Sequence, residues 1–190
     1  MTMRKSLFLV VAFFLMLGIA QAQDFNFGVK GGINIASIGG NSYVGLGGFG
    51  SKVAFHLGGV AEVPISEKFS IQPELLYSSQ GSKWNYNSSD GNLKLDYINL
   101  PILGKYHIIK GLSAEAGPMV GYLISTNEEA EDSRFSKLDV AFAIGASYRL
   151  NDNIFFGLRY NKGILNINND SNIDGSNQNN VFQIFDGYSF

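Results

Sequence analysis

The chain has 190 residues, 14 Lys and Arg against 16 Asp and Glu, a formal charge of −2 and a pI near 5.6. No basic excess points to nucleic acid, and the absence of Cys excludes disulfides, zinc–thiolate sites and thiol nucleophiles together. Abundant Gly (23), 13% aromatic residues, few Pro (4) and the lack of long helix-period runs favour an all-β chain with many turns.

At the N-terminus, Arg4 and Lys5 precede a continuous apolar run, Leu7 to Ile19, and Ala20-Gln21-Ala22 is a small-x-small cleavage signal. A run of about 13 residues is short for a membrane helix. The pattern predicts a signal peptide over 1–22 and an exported mature domain over 23–190, whose formal charge falls to −4 once Arg4 and Lys5 are gone. Beyond Ala22 no apolar run approaches the length of a membrane helix. Membrane insertion would therefore require a closed barrel, because only helices and closed barrels satisfy every backbone group in lipid.

The mature chain divides into eight alternating segments of the length such strands need. Phe25 to Ala36 sets Phe25, Phe27, Val29, Ile33 and Ile35 against Asn26, Lys30 and Asn34. Lys52 to Val63 sets Val53, Phe55, Leu57, Ala61 and Val63 against His56 and Glu62, and Lys68 to Gln80 sets Phe69, Ile71, Leu75 and Tyr77 against Ser70, Gln72, Glu74 and Ser78. In Leu93 to Ile108, Ile98, Leu100, Ile102, Tyr106 and Ile108 oppose Asn99, Lys105 and His107. Leu93, Leu95 and Tyr97 are out of phase with that face, which predicts a bulge near Asp96 to Ile98. Leu112 to Ser125 sets Leu112, Ala114, Val120, Tyr122 and Ile124 against Ser113, Glu115 and Ser125. Lys137 to Leu150 sets Leu138, Val140, Phe142, Ile144 and Tyr148 against Asp139, Ser147 and Arg149. Asn153 to Leu165 sets Ile154, Phe156, Leu158 and Tyr160 against Gly157, Arg159 and Asn161. Val181 to Phe190 places Phe182, Ile184, Tyr188 and Phe190 on one face, where the same parity also puts Asp186.

Short turns at 64–67, 109–111 and 151–152 alternate with long polar connections at roughly 37–51, 81–92, 126–136 and 166–179. That asymmetry, with both termini on the short-turn side, is the one expected of an outer-membrane barrel entered from the periplasm. The predicted fold is an eight-stranded antiparallel up-and-down transmembrane β-barrel whose last strand closes on the first. Asp186 is expected either in the headgroup zone or beside a break in the alternation at Phe185.

Five stretches carry a resemblance: Phe27-Gly28-Val29-Lys30-Gly31-Gly32, Phe69-Ser70-Ile71-Gln72-Pro73-Glu74-Leu75-Leu76-Tyr77, Tyr97-Ile98-Asn99-Leu100-Pro101-Ile102, Gly157-Leu158-Arg159-Tyr160 and the terminal Gly-Tyr-x-Phe. With them the chain resembles the small outer-membrane β-barrel family often called the porin family, common in Gram-negative bacteria of the Bacteroidetes type. The resemblance covers nearly all of Phe25 to Phe190 and implies an outer-membrane location. The terminal Phe190, with Phe182, Ile184 and Tyr188, resembles the signal by which barrel-assembly machinery recognises such chains. Asp186 departs from the family pattern, which usually has an apolar residue there.

An eight-stranded barrel is just wide enough for side chains to fill. The inward set contains Lys30, Lys105, Arg149 and Arg159 against Glu62, Glu74, Glu115 and Asp139, four charges of each sign. Paired charges are tolerable in a narrow interior where lone ones are costly, so an ion-pair plug is expected, with a narrow ion path as the rival reading. Strand direction places Lys30, Glu74 and Arg159 near mid-height, with Glu62, Lys105, Glu115 and Arg149 nearer the periplasmic end. The two His residues, His56 and His107, point inward, and no G-x-S-x-G or H-E-x-x-H motif occurs, so no catalytic role is expected.

Among the connections, 126–136 carries Glu128, Glu129, Glu131 and Asp132, read as a solvated charge run. Asp170, Asn172, Asp174 and Gly175 match half of a calcium loop, but Val181 stands where the bidentate Glu belongs, so no metal is expected. Trp84 and Tyr86 suit an interfacial anchor or a contact with an external protein or glycan. The Gly-rich stretch 39–50 opens no helix and so cannot be a dinucleotide site. The expected protein is a monomer without cofactor, held in outer-membrane lipid. It acts structurally or adhesively through its external loops; a narrow channel and, more remotely, a lipid-modifying enzyme are the alternatives.

Overall fold

The structure, a computed structural model, describes residues 25–40, 49–86, 89–127, 135–169 and 176–190. The predicted signal peptide lies outside them. Nine strands occur among the described residues: β1 (Asn26–Gly40), β2 (Phe49–Gly50), β3 (Lys52–Ser66), β4 (Phe69–Tyr86), β5 (Ser89–Ile109), β6 (Leu112–Thr126), β7 (Leu138–Arg149), β8 (Ile154–Gly163) and β9 (Asn177–Ser189). Each pairs antiparallel with its neighbours in the order β4-β3-β1-β9-β8-β7-β6-β5, and a β4–β5 pairing closes the ring. The two-residue β2 only extends the edge of β4, at Phe49↔Trp84 and Gly50↔Lys83, so the barrel itself has eight strands.

The closing pair is β9 on β1, in unbroken register from Gly28↔Ser189 to Gly40↔Asn177. No strand edge is left unpaired around the ring, which is what lipid demands. The short connections fall where turn residues stand; at Lys110-Gly111 the chain turns with Gly111 at φ 85°, a conformation that favours glycine. No described helix is long and apolar enough to cross a membrane.

Burial is inverted relative to a water-soluble domain. Val53 is 69% exposed and Leu57 60%, whereas Lys30 and Arg159 are 1% exposed. The apolar face of every barrel strand points outward and forms a continuous wall, the surface a bilayer solvates. Aromatic pairs such as Tyr148 with Phe156 and Tyr188 with Phe190 lie on that wall near the short-turn end.

Several expectations need correction. The stretch 81–92 is not a loop: β4 and β5 continue as a paired ribbon to Tyr86↔Ser89. Strand β9 begins at Asn177 rather than Val181, and so takes in the last three residues of the expected 166–179 connection. A register shift does occur between Asp96 and Tyr97, but it does not return Leu93, Leu95 and Tyr97 to the outer face. All three are buried inside the barrel, on the same side as Asn99 and Lys105, because the lumen toward the long connections is itself apolar. Ser125, expected inside, is exposed.

Candidate functional site, the filled lumen

The lumen is filled in layers, each built from side chains that the alternation delivers from different strands. Nearest the short turns, the Glu62 carboxylate on β3 receives Lys105 Nζ from β5 at 3.0 Å and Arg149 Nη2 from β7 at 2.9 Å. His107 joins them: Nε2 lies 3.5 Å from Glu62 and 2.7 Å from Ser70 Oγ, and Nδ1 lies 2.9 Å from Ser113 Oγ. The hole left among Glu62, Gln72, Lys105, Arg149 and Phe155 is about 10 Å³, at the lower limit for one water.

Gln72 links this floor to the next layer, accepting from Lys105 at 3.2 Å and donating to Glu74 at 2.7 Å. There Arg159 on β8 grips Glu74 with both terminal guanidinium nitrogens, each at 2.8 Å. It also donates to Glu115 on β6, from Nε at 2.8 Å and Nη2 at 2.6 Å. Lys30 on β1 lies 3.4 Å from both Glu74 oxygens. Two cations and two carboxylates thus form a neutral cluster across four strands, the arrangement that makes buried charge tolerable. Glu115 belongs to this middle layer rather than to the floor. Phe185 on β9 lines it too, with Lys30 Nζ 3.7 Å and Arg159 Cζ 5.3 Å from its ring centroid. Phe185 is therefore inward, and the alternation of β9 is not broken around Asp186, which remains exposed on the outer face.

Above this lies an amide layer. Asn34 accepts from Gln183 at 2.9 Å and pairs with His56 Nδ1 at 2.8 Å. Its amide nitrogen donates to Ser78 Oγ at 3.0 Å and to the Ser79 carbonyl at 2.8 Å. One side chain on β1 so ties β3, β4 and β9. His56 is 1% exposed and locked in this network.

Toward the long connections Ile38, Leu93, Leu95, Tyr97, Leu123 and Ile167 make an apolar cluster, with Phe135 against it. Ile167 and Phe135 come from connecting segments rather than strands. They are held there by a Phe135↔Asn168 bridge and by hydrogen bonds from Ser136 N to Ile167 O and from Ile167 N to Asn177 O, both 2.8 Å. Ile167, 1% exposed, stoppers the barrel from within its mouth. Only its position in a polar Asn-rich stretch could have marked it.

Asp139 stands apart from the two ion clusters with which the alternation grouped it. One of its oxygens accepts from Asn179 Nδ2 at 2.9 Å, and that nitrogen also lies 3.2 Å from the Tyr97 hydroxyl. One further charged residue lines the lumen, Lys52, which donates to the carbonyls of Leu93 at 3.1 Å and Gln80 at 3.5 Å, whereas Asp96 lies on the outer side of β5, paired with Lys94 at 2.8 Å. The calcium-loop residues Asp170, Asn172 and Asp174 and the acidic run Glu128 to Asp132 lie outside the described residues. So do the side chains of Trp84 and Tyr86, whose backbones are in the β4–β5 ribbon. Among the described residues no group of three or more His, Asp or Glu could hold a metal ion.

The family model described as outer membrane protein beta-barrel domain matches residues 20–169. The chain belongs to that family. No curated protein sequence matches it. Among solved structures it is similar to Ail, the attachment invasion locus protein of Yersinia pestis. Identity is 12%, with 88% of this chain and 99% of Ail covered and a TM-score of 0.51. It is also similar to Neisserial surface protein A, at 14% identity, 86% and 97% coverage and a TM-score of 0.50. At these identities the likeness is one of fold. The protein is thus a transmembrane barrel of the outer membrane.

Proposed function

We propose that this barrel is a closed envelope protein that works through the segments joining its strands at the long-connection end, as a structural or adhesive element without chemistry of its own. The observation that carries this reading is the lumen. Ionic, amide and apolar layers fill it in succession, which leaves the segments outside the membrane as the surface free to meet a partner. In this reading the short turns and both termini face the periplasm, residues 1–22 are removed on export, and the barrel is a monomer. The ion clusters act as an internal strut. Phe182, Ile184, Tyr188 and Phe190 serve assembly as well as closure, through recognition by the barrel-assembly machinery. Trp84 and Tyr86, on the ribbon beyond the barrel wall, and the segments 41–48, 128–134 and 170–175 are the contact candidates for an extracellular protein or glycan.

The test is to replace 128–133 and 170–175 with Gly/Ser sequences of equal length, which keeps Phe135 and Ile167, and to add Trp84→Ala in a second variant. Intact cells carrying each form are then cross-linked to their surroundings. Exchanged cells are expected to lose partner capture or surface adhesion by at least about tenfold, while the barrel keeps its folded, heat-sensitive gel mobility. Unchanged capture by all variants would contradict a loop-borne function.

A further inference from the structure

Among the described strand side chains two acidic ones stand on the outer face, and Asp96 is paired by Lys94 at 2.8 Å, which leaves Asp186. It pairs across the sheet with Gly31 on β1 and Phe156 on β8, three residues before the end of β9 and just inside the Tyr148, Phe156 and Tyr188 aromatic ring. No described cation pairs with it. A short carboxylate cannot extend past the hydrocarbon edge as Lys and Arg do, so a polar partner has to come to it.

Beside it the outer wall is hollow. Val29, Gly31, Leu57, Asp186 and Tyr188 border a depression of about 370 Å³. A second one of about 360 Å³ begins at Gly59, which pairs with Val29, and extends past Ala61 and Pro73 to Leu75. The glycines that make these depressions differ from those that face inward. A Cβ on Gly28, Gly32 or Gly58 would run into the backbone of the neighbouring strand. A Cβ on Gly31 would meet only ordinary contacts, His56 O at 3.5 Å and Leu57 Cδ1 at 3.7 Å, and one on Gly59 nothing nearer than 4.0 Å. Packing within the barrel explains the first set and not the second. Glycine in a strand, where it weakens the sheet, is a mark of close approach by something else.

We propose that the hollow over Gly31 seats one phospholipid with a primary-ammonium headgroup, its ammonium on the Asp186 carboxylate and an acyl chain lying over Gly31 and Gly59. The site asks for a cation joined to an apolar chain, and such a lipid is both. A second copy of the barrel offers no outward strand cation beside Asp186, its Lys68 and Lys110 standing in the short turns beyond the wall. The outward residues around Asp186, among them Ile154, Phe156, Leu158 and Tyr188, are all apolar or aromatic, whereas the outward Lys94 and Lys162 lie at the opposite ends of their strands. The inference rests on the outer-membrane reading with the short turns toward the periplasm, which puts the hollow in the phospholipid leaflet.

The test uses the mature protein folded in detergent with phosphatidylethanolamine, phosphatidylglycerol or phosphatidylcholine added singly, and native mass spectrometry counting retained lipid. Phosphatidylethanolamine is expected to be retained one per barrel, preferred over phosphatidylglycerol by at least about tenfold, the scale of one charge-assisted contact. Asp186→Asn should remove the preference, and Gly31→Leu, which fills the hollow and leaves the charge, should lower retention of every lipid. Equal retention of the three lipids, or wild-type behaviour of both variants, would overturn the proposal. So would dimers that depend on Asp186 and carry no lipid. Protease access to a tag inserted in the short turn at Asn151-Asp152 in whole cells reports the orientation separately, so a barrel set the other way round is distinguished from an empty hollow.

Discussion

Arg159→Met is expected to destabilise the barrel by about 3–5 kcal/mol, measured by urea unfolding from lipid vesicles, because it strands buried carboxylates rather than because it deletes one contact. Arg159 makes the bidentate grip on Glu74 and both contacts to Glu115, and all three side chains are essentially without solvent. Lys30, at 3.4 Å, is too distant to replace a grip at 2.8 Å. If charge imbalance is the cause, replacing Lys30, Glu74, Glu115 and Arg159 together by Met or Leu should recover most of the loss, since a buried ionic cluster exchanged whole for apolar volume is often neutral. A quadruple variant no more stable than the single one would mean that the cluster holds the strands by specific geometry instead.

The second large effect is at the closing seam. Gly32 faces inward on β1, and a Cβ there would collide with the Ile184 carbonyl and the Phe185 Cα of β9. These are backbone atoms with no rotamer to yield. Gly32→Val is expected to cost at or beyond the top of the ~1–3 kcal/mol range of overpacking, because the strand it pushes is the one that completes the ring. On unheated gels the variant should lose the compact band of the folded barrel and run as the unfolded chain. Gly31→Ala, one residue along but outward, should retain the compact band. Identical behaviour of the two would show that the β1–β9 contact tolerates more than its register implies.

The contrast between Gly31 and Gly32 also shows where the sequence was legible. Period-two alternation is strong wherever one face meets lipid, so the eight strands, the β9–β1 closure and the inward Lys30, Glu74 and Arg159 could all be read from parity. Parity failed where the lipid boundary no longer applies. Beyond the membrane, β4 and β5 continue as a ribbon through Ser82, Asn85 and Asp90, polar residues that in isolation look like a loop. Inside the barrel the assumption that apolar means outward misplaced Leu93, Leu95 and Tyr97, which pack on Ile38 and Ile167. Phe185 is another such residue: an aromatic ring that serves two cations in the lumen leaves no mark in the alternation. Asp139 was legible as inward but not as solitary, because pairing depends on which strands the shear brings opposite one another.

The most direct test of a filled lumen is electrical. The mature barrel, reconstituted in planar bilayers at about 1 M salt, where the Debye length is about 3 Å, should give no resolved unitary current over many insertions verified by labelled protein. Defined, repeated conductance steps that vanish when the protein is omitted would mean that ions pass the Glu62, Arg159 and Ile167 layers, and that the lumen is a pathway rather than a core.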